Sequence, residues 1–393
     1  VPDPLLRVVR FQRLLLLAAF CGFLTFLYAQ FSCPALLLMA TPPVVDRCVP
    51  PEVTLVLSEA LALTLLLAAA GLTIRYGATR RVSTWLLALA AAGMAFWVRP
   101  ALLPAVGLVL LTLGFCHWRQ PATALRRAML GLPVLALIAL PCLTLFLQSG
   151  VVTLTPAGSL YPICTALHLA TVADRDRVPA GASRRMFEQM LERKAVCDAA
   201  AAERFPDWTP AERYAMSGVS DDYIFRVAVP VLREAIAAGI APSGGPFWLT
   251  AQREFPRISA PVIRAHRREF AATVLENLRI ASGHNPRLTA TRLARVFPLS
   301  AWLVLILASF PFLAWHPRLA VGWLLLLHLV NVLFVACTHV PCPRLVWFTE
   351  FAVLTAAALG WGLALPVLRV SLRRWGRRSL ERCQAALRPR LAV

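Results

Sequence analysis

The sequence predicts an all-α, polytopic integral membrane helical bundle carrying a helical extracytoplasmic insert. Three observations carry that expectation. Hydrophobic residues make up 59% of the 393-residue chain, well above the roughly 45–50% of a soluble domain. Apolar runs close to the ~20 residues needed to cross a bilayer recur along it. Between them lies one polar block, residues 149–297, which holds fourteen of the twenty acidic residues, from Asp174 to Glu276.

Taken in order, residues 1–148 carry five candidate spans, at 13–30, 52–74, 83–98, 101–117 and 128–148. The first follows Arg7, Arg10 and Arg13 as a signal peptide's apolar stretch would. It lacks a small-x-small cleavage site, which predicts a retained span. The third and fourth are short and meet at Arg99-Pro100, as a tight helical hairpin or one broken helix. Residues 298–367 supply three further spans, at 297–315, 319–338 and 345–367, and 368–393 form a basic cytoplasmic tail.

The net charge of +20 is distributed in a way that argues against nucleic acid, which needs a basic stripe on one soluble face. The arginines instead cluster between spans: Arg75, Arg80 and Arg81; Arg119, Arg126 and Arg127; Arg369, Arg373 and Arg374. Short basic loops mark the cytoplasmic face. Placing the N-terminus inside then puts loop 31–51, Arg99-Pro100, the insert and 339–344 outside. The segments 75–82, 118–127 and His316-Pro317-Arg318 fall inside, and long loops translocate largely regardless of charge.

Within the insert, Thr209-Pro210-Ala211-Glu212 combines an N-cap, a proline at the first helical position and a glutamate at N3. Ser220-Asp221-Asp222 opens a second helix through Ile236. A third is expected over 260–281, with Ile263, Phe270, Val274 and Leu278 on one face and Gly283 as its stop. Its other face carries Arg264, Arg267, Arg268 and Arg279. That face suits either anionic headgroups or simple solvation. The ten cysteines show no metal-ligand spacing. Cys33 with Cys48, and Cys164 with Cys197, share a predicted outer segment and are either disulfides or unpaired thiols, the second being the simpler reading.

Ionisable groups inside apolar spans are costly and point to function unless they neutralise one another. Glu59 and Glu350 lie a short way inside the outer ends of their spans, and Arg99 and Arg344 lie at the outer boundary. Structural pairing of these charges is the competing reading. His328 and Asn331 sit deeper, where interhelical hydrogen bonding is the simpler role. Asp174-Arg175-Asp176 resembles a metal–diphosphate pair, but a solvated loop is the simpler reading.

Three stretches resemble one family. They are Val56-Leu57-Ser58-Glu59 followed by a basic turn and Trp97-Val98-Arg99-Pro100; Ile263-Arg264-Ala265-His266-Arg267-Arg268-Glu269-Phe270 followed by Glu276-Asn277-Leu278; and His339-Val340-Pro341-Cys342-Pro343-Arg344 running into Trp347-Phe348-Thr349-Glu350. Their order resembles the polyprenyl-phosphate-sugar-dependent membrane glycosyltransferases (GT-C type), the relatives of protein O-mannosyltransferase and of the lipid A aminoarabinose transferase. The resemblance implies a multi-pass protein of the bacterial inner membrane that takes a polyprenyl-phosphate-linked sugar as donor and an envelope glycan, lipid or protein as acceptor.

It further implies a carboxylate that deprotonates the acceptor, for which Asp46 and Glu59 are the candidates. Arg99, Arg344 and Glu350 make up the candidate lipid-phosphate site. In the family several more spans precede the Ser-Glu segment, so the chain looks like a member lacking its N-terminal catalytic part. A non-catalytic membrane protein that binds lipid-linked glycans or scaffolds envelope assembly is the alternative.

Overall fold

The computed structural model describes residues 4–39, 57–150, 153, 158–215, 217–242, 246–285, 288, 297–338 and 349–387. Every regular element among them is helical. The membrane part comprises α1 (Pro4–Phe31), α2 (Leu57–Thr79), α3 (Val82–Val98), α4 (Leu103–Cys116) and α5 (Pro121–Ser149). After the insert it is completed by α13 (Leu299–Ser309), α14 (Trp315–Thr338) and α15 (Glu350–Leu387). Five of these, α1, α2, α5, α14 and α15, are long and apolar enough to cross a membrane, while α3, α4 and α13 are shorter apolar helices. The chain is therefore a polytopic membrane helical bundle, and its helices fall on the apolar runs expected.

These helices are apolar around most of their circumference, as the bilayer requires, so small residues rather than an amphipathic stripe determine where they pack. A Cβ on Gly93 would come within 2.4 Å of Ile138, and one on Gly131 within 2.5 Å of the Trp85 ring, which brings α3 and α5 into close apposition. Indole N–H groups tie helices together through carbonyls: Trp85 donates to Val109 O at 3.2 Å and Trp97 to Ile138 O at 3.2 Å.

The insert forms a second core around Phe187, Leu232 and Phe255. Its helices are α6 (Leu160–Leu169), α7 (Ala182–Arg204), α8 (Pro210–Ala215), α9 (Ser217–Asp222), α10 (Val229–Ala237), α11 (Phe247–Ala265) and α12 (Arg267–Ala281). Between α9 and α10, Tyr223–Ala228 is a π-helical turn. Ala101 from the α3–α4 turn and Val332 and Val335 from α14 belong to the same core. The insert thus sits on one end of the bundle, here termed the insert end. The other, the turn end, holds the α2–α3 turn at Arg80-Arg81 and the α4–α5 and α13–α14 turns.

Three expectations are corrected. First, α1 runs parallel to α2, not antiparallel to it. Phe23 and Phe26 face Gly71, Phe31 lies 4.9 Å from His316, and His316 Nε2 lies 3.2 Å from Ile74 O. The 31–39 end of α1 therefore joins the turn end instead of sharing the face of the insert. Loop charge reports which side a segment faces, and packing of an apolar helix against its neighbour obeys no such rule.

Second, His316-Pro317-Arg318 lies in the first turn of α14, where a proline is tolerated. The chain reverses at Leu313-Ala314 instead. Third, the helix expected over 260–281 breaks at His266, whose backbone (φ −105°, ψ 41°) ends α11 and starts α12. Gly283, at φ +75°, terminates α12 as expected.

Candidate functional site at the insert end

Where α14 reaches the insert end, His328 and Asn331 stand one helical turn apart on the same face. Both meet Thr349, at the head of α15: His328 Nδ1 lies 2.9 Å from Thr349 Oγ1, and Asn331 Nδ2 donates to the same oxygen at 3.2 Å. With Asn331 donating, the threonine hydroxyl has its own proton to give to the imidazole. Next in the chain is Glu350, in the first turn of α15, 3% exposed. A carboxylate there is favoured by the positive end of the helix dipole. All four side chains are buried.

Arg99 caps the C-terminus of α3 in an extended conformation, its N–H donating to Ala95 O at 2.8 Å, and its side chain is partly buried. Two residues on, Ala101 packs into the insert core with Val332 of α14, the neighbour of Asn331. The fold therefore brings Arg99 and Glu350 to the same end of the bundle as the insert. The backbone of Glu59 lies in the first turn of α2. Its side chain, like the whole of Asp46 and Arg344, lies outside the described residues.

The insert end is roofed by α11 and α12, joined at His266. There His266 Nε2 lies 2.8 Å from Asp174 Oδ2, which also accepts from the Thr171 N–H at 2.9 Å and the Thr171 hydroxyl at 2.9 Å. Burial pushes the Asp174 carboxyl up, but the hydrogen bonds from Thr171 and His266 outweigh it and hold the group below the usual carboxylate range. Arg177 adds an ion pair at 3.2 Å. Asp174 is thus the capping carboxylate of the turn Val172–Arg177, with its oxygens engaged inside the protein. That removes the metal–diphosphate reading of Asp174-Arg175-Asp176.

The pattern Thr171-Val172-Ala173-Asp174 has the same spacing as Thr209-Pro210-Ala211-Glu212, and it was the signal that sequence reading overlooked. At Thr209 the expected box forms: the Thr209 N–H donates to Glu212 at 2.8 Å and the Glu212 N–H to Thr209 Oγ1 at 3.2 Å. Cys164 and Cys197 are separate thiols. Cys164 donates to Ser220 O at 3.2 Å, and burial pushes its thiol up to about 12. Cys33 is a buried thiol whose Sγ lies 3.7 Å from Ala358 O, and Cys48 lies outside the described residues.

A polar cluster that sequence reading did not single out lies at the turn end. There Arg127 Nη1 donates to Arg80 O at 2.7 Å and contacts Tyr76 and His117, themselves 2.9 Å apart. Among the described residues no three His, Cys, Asp or Glu side chains converge as a metal site. No protein-family model matches this chain, and no curated protein or solved structure matches it.

Proposed function

We propose that the chain is a membrane glycosyltransferase, or the C-terminal portion of one, which moves a sugar from a polyprenyl-phosphate donor to an envelope acceptor. In this reading the protein lies in the bacterial inner membrane with the insert extracytoplasmic. The arginines of the turn end, Arg75, Arg80, Arg81, Arg119, Arg126 and Arg127, support that sidedness by the positive-inside rule. Arg7, Arg10 and Arg13 precede a helix that runs the other way, and are the exception.

What carries the reading is Glu350, a carboxylate buried at the head of a membrane helix beside the His328–Asn331–Thr349 cluster. Groups of this kind within a bilayer mark substrate sites far more often than surface carboxylates do. The acceptor hydroxyl would attack the anomeric carbon as its proton passes to a carboxylate, Glu59 or Asp46. The bond from that carbon to the phosphate oxygen breaks, and the lipid phosphate leaves with the electron pair. Arg99 and Arg344 would neutralise that phosphate, with Glu350 holding the arginines in place.

The test is turnover in proteoliposomes supplied with radiolabelled undecaprenyl-phosphate sugars and envelope acceptor lipids. Wild-type protein should release polyprenyl phosphate and labelled acceptor. Arg344→Ala and Glu350→Gln should each slow this by roughly 100-fold, the scale of losing one transition-state contact, with membrane insertion unchanged. Donor binding without turnover by wild type would instead favour the non-catalytic binder of lipid-linked glycans. Absence of both would overturn the proposal.

A further inference from the structure

At the turn end, far from the site above, two cavities join. An apolar groove of about 1100 Å³ runs between α4 and the start of α14, and a vestibule of about 640 Å³ opens beside it at Arg80 and Arg119. Phe115, Trp118 and Trp315 line both, and the Phe115 and Trp315 rings stack at 5.5 Å. Arg318 also lines the groove, fixed by donation from its Nε to Phe310 O at 2.8 Å. From these features we infer that the groove and vestibule form a built site for one anionic phospholipid, its acyl chains along α4 and its phosphate among Arg80, Arg119 and Arg318.

Three independent observations point to that occupant. The first is depth. From Gly107 to Cys116, α4 rises about 14 Å at 1.5 Å per residue, close to half of the ~30 Å hydrocarbon core. The groove is therefore one leaflet deep, with Trp118, Trp315 and its arginines at the headgroup end.

The second is space. The groove is kept open by glycines: a Cβ on Gly107 or Gly114 would meet nothing within 4 Å, and one on Gly322 only Phe310 at 3.9 Å. These glycines do not mediate helix contact as Gly93 and Gly131 do, and their bareness leaves room for a chain.

The third is charge. No acidic residue occurs between Glu59 and Asp174 or between Glu276 and Glu350, and none of the three arginines forms an ion pair among the described residues. Arg80 Nη1 is buried with no hydrogen-bond partner among the described residues. Arg80 is held in this position by its left-handed backbone (φ +54°) and by Arg127 on its carbonyl. A buried guanidinium N–H left unsatisfied is costly, and a phosphate oxygen is the acceptor its geometry suits best.

The experiment is native mass spectrometry of the full chain, delipidated in detergent and titrated with dioleoyl phosphatidylglycerol or dioleoyl phosphatidylcholine. Wild type should take up a single phosphatidylglycerol about tenfold more tightly than phosphatidylcholine. Gly114→Leu with Gly322→Leu should lower the binding of both lipids at least tenfold by filling the groove. Arg80→Gln with Arg119→Gln should abolish the preference and spare the apolar binding. If the double-leucine variant misfolds, Gly107→Leu, whose side chain enters open space, serves in its place. Equal affinity for the two lipids, or undiminished uptake by the leucine variant, overturns the proposal. Competition by glycerol 3-phosphate at matched concentration would assign the arginines to a soluble phosphate ligand and likewise overturn it.

Discussion

The insert and the membrane bundle are built from one chain by two different sets of rules. In the insert, charge is balanced locally: Arg193 meets Glu234 at 2.6 Å, Lys194 meets Asp198 at 2.7 Å, and the buried Glu254 accepts from Ser183 at 3.0 Å and Arg257 at 2.9 Å. Two elements there, the turn Val172–Arg177 and α8, start on capping boxes at Thr171 and Thr209. The bundle has almost no acids to pair with its arginines, and it packs by small residues and indole hydrogen bonds. Polar satisfaction therefore limits stability in the insert, and volume limits it in the bundle. The same contrast explains why unpaired cationic charge gathers at the turn end, where lipid phosphate can serve as counter-ion.

The largest effect expected from breaking this contrast is at Asp174. Asp174→Ala removes the acceptor for the Thr171 N–H, the Thr171 hydroxyl and His266 and the partner of Arg177, four interactions in a buried setting, and should cost about 3 kcal/mol. Chemical denaturation of the full chain in detergent, read by near-ultraviolet circular dichroism, measures it. The pH dependence follows from the depressed carboxyl. Its folded pKa lies below the unfolded value of about 3.9, so its contribution is complete above that value and is lost as pH falls through the folded pKa. The variant should therefore lose less stability than wild type between about pH 4 and pH 2. An unchanged acid limb would mean that Asp174 gains nothing from its partners.

Most of the bundle was legible in the sequence because its helix limits are written in strong signals: apolar runs ended by Arg80-Arg81 and Arg99-Pro100. The direction of α1 was not, because Phe23, Phe26 and Phe31 find Gly71 and His316 through packing that no loop charge encodes. The break at His266 was hidden for a similar reason. Its partner Asp174 is 92 residues away, and a periodic apolar face carries no record of a hydrogen bond that opens the helix. At the candidate site, Glu350, His328 and Asn331 stood out as polar residues in apolar surroundings. Their meeting at Thr349 depends on the register of the α14–α15 pair, which residue type alone does not set.

A smaller effect, and one confined to the bundle, comes from adding a single methyl group at two glycines. Gly131→Ala would drive a Cβ to within 2.5 Å of the Trp85 ring. That ring is fully buried and anchored through its indole N–H to Val109 O, so it cannot swing aside without losing a hydrogen bond. Overpacking of this kind costs about 1–3 kcal/mol. Gly107→Ala, on α4, faces open groove. There the helix propensity of alanine prevails, and the variant should be unchanged or more stable by up to ~1 kcal/mol. Thermal unfolding of both variants in the same detergent gives the comparison directly. If Gly107→Ala destabilised as much as Gly131→Ala, the α4 face would be packed rather than open, and the groove with its lipid would lose its physical basis.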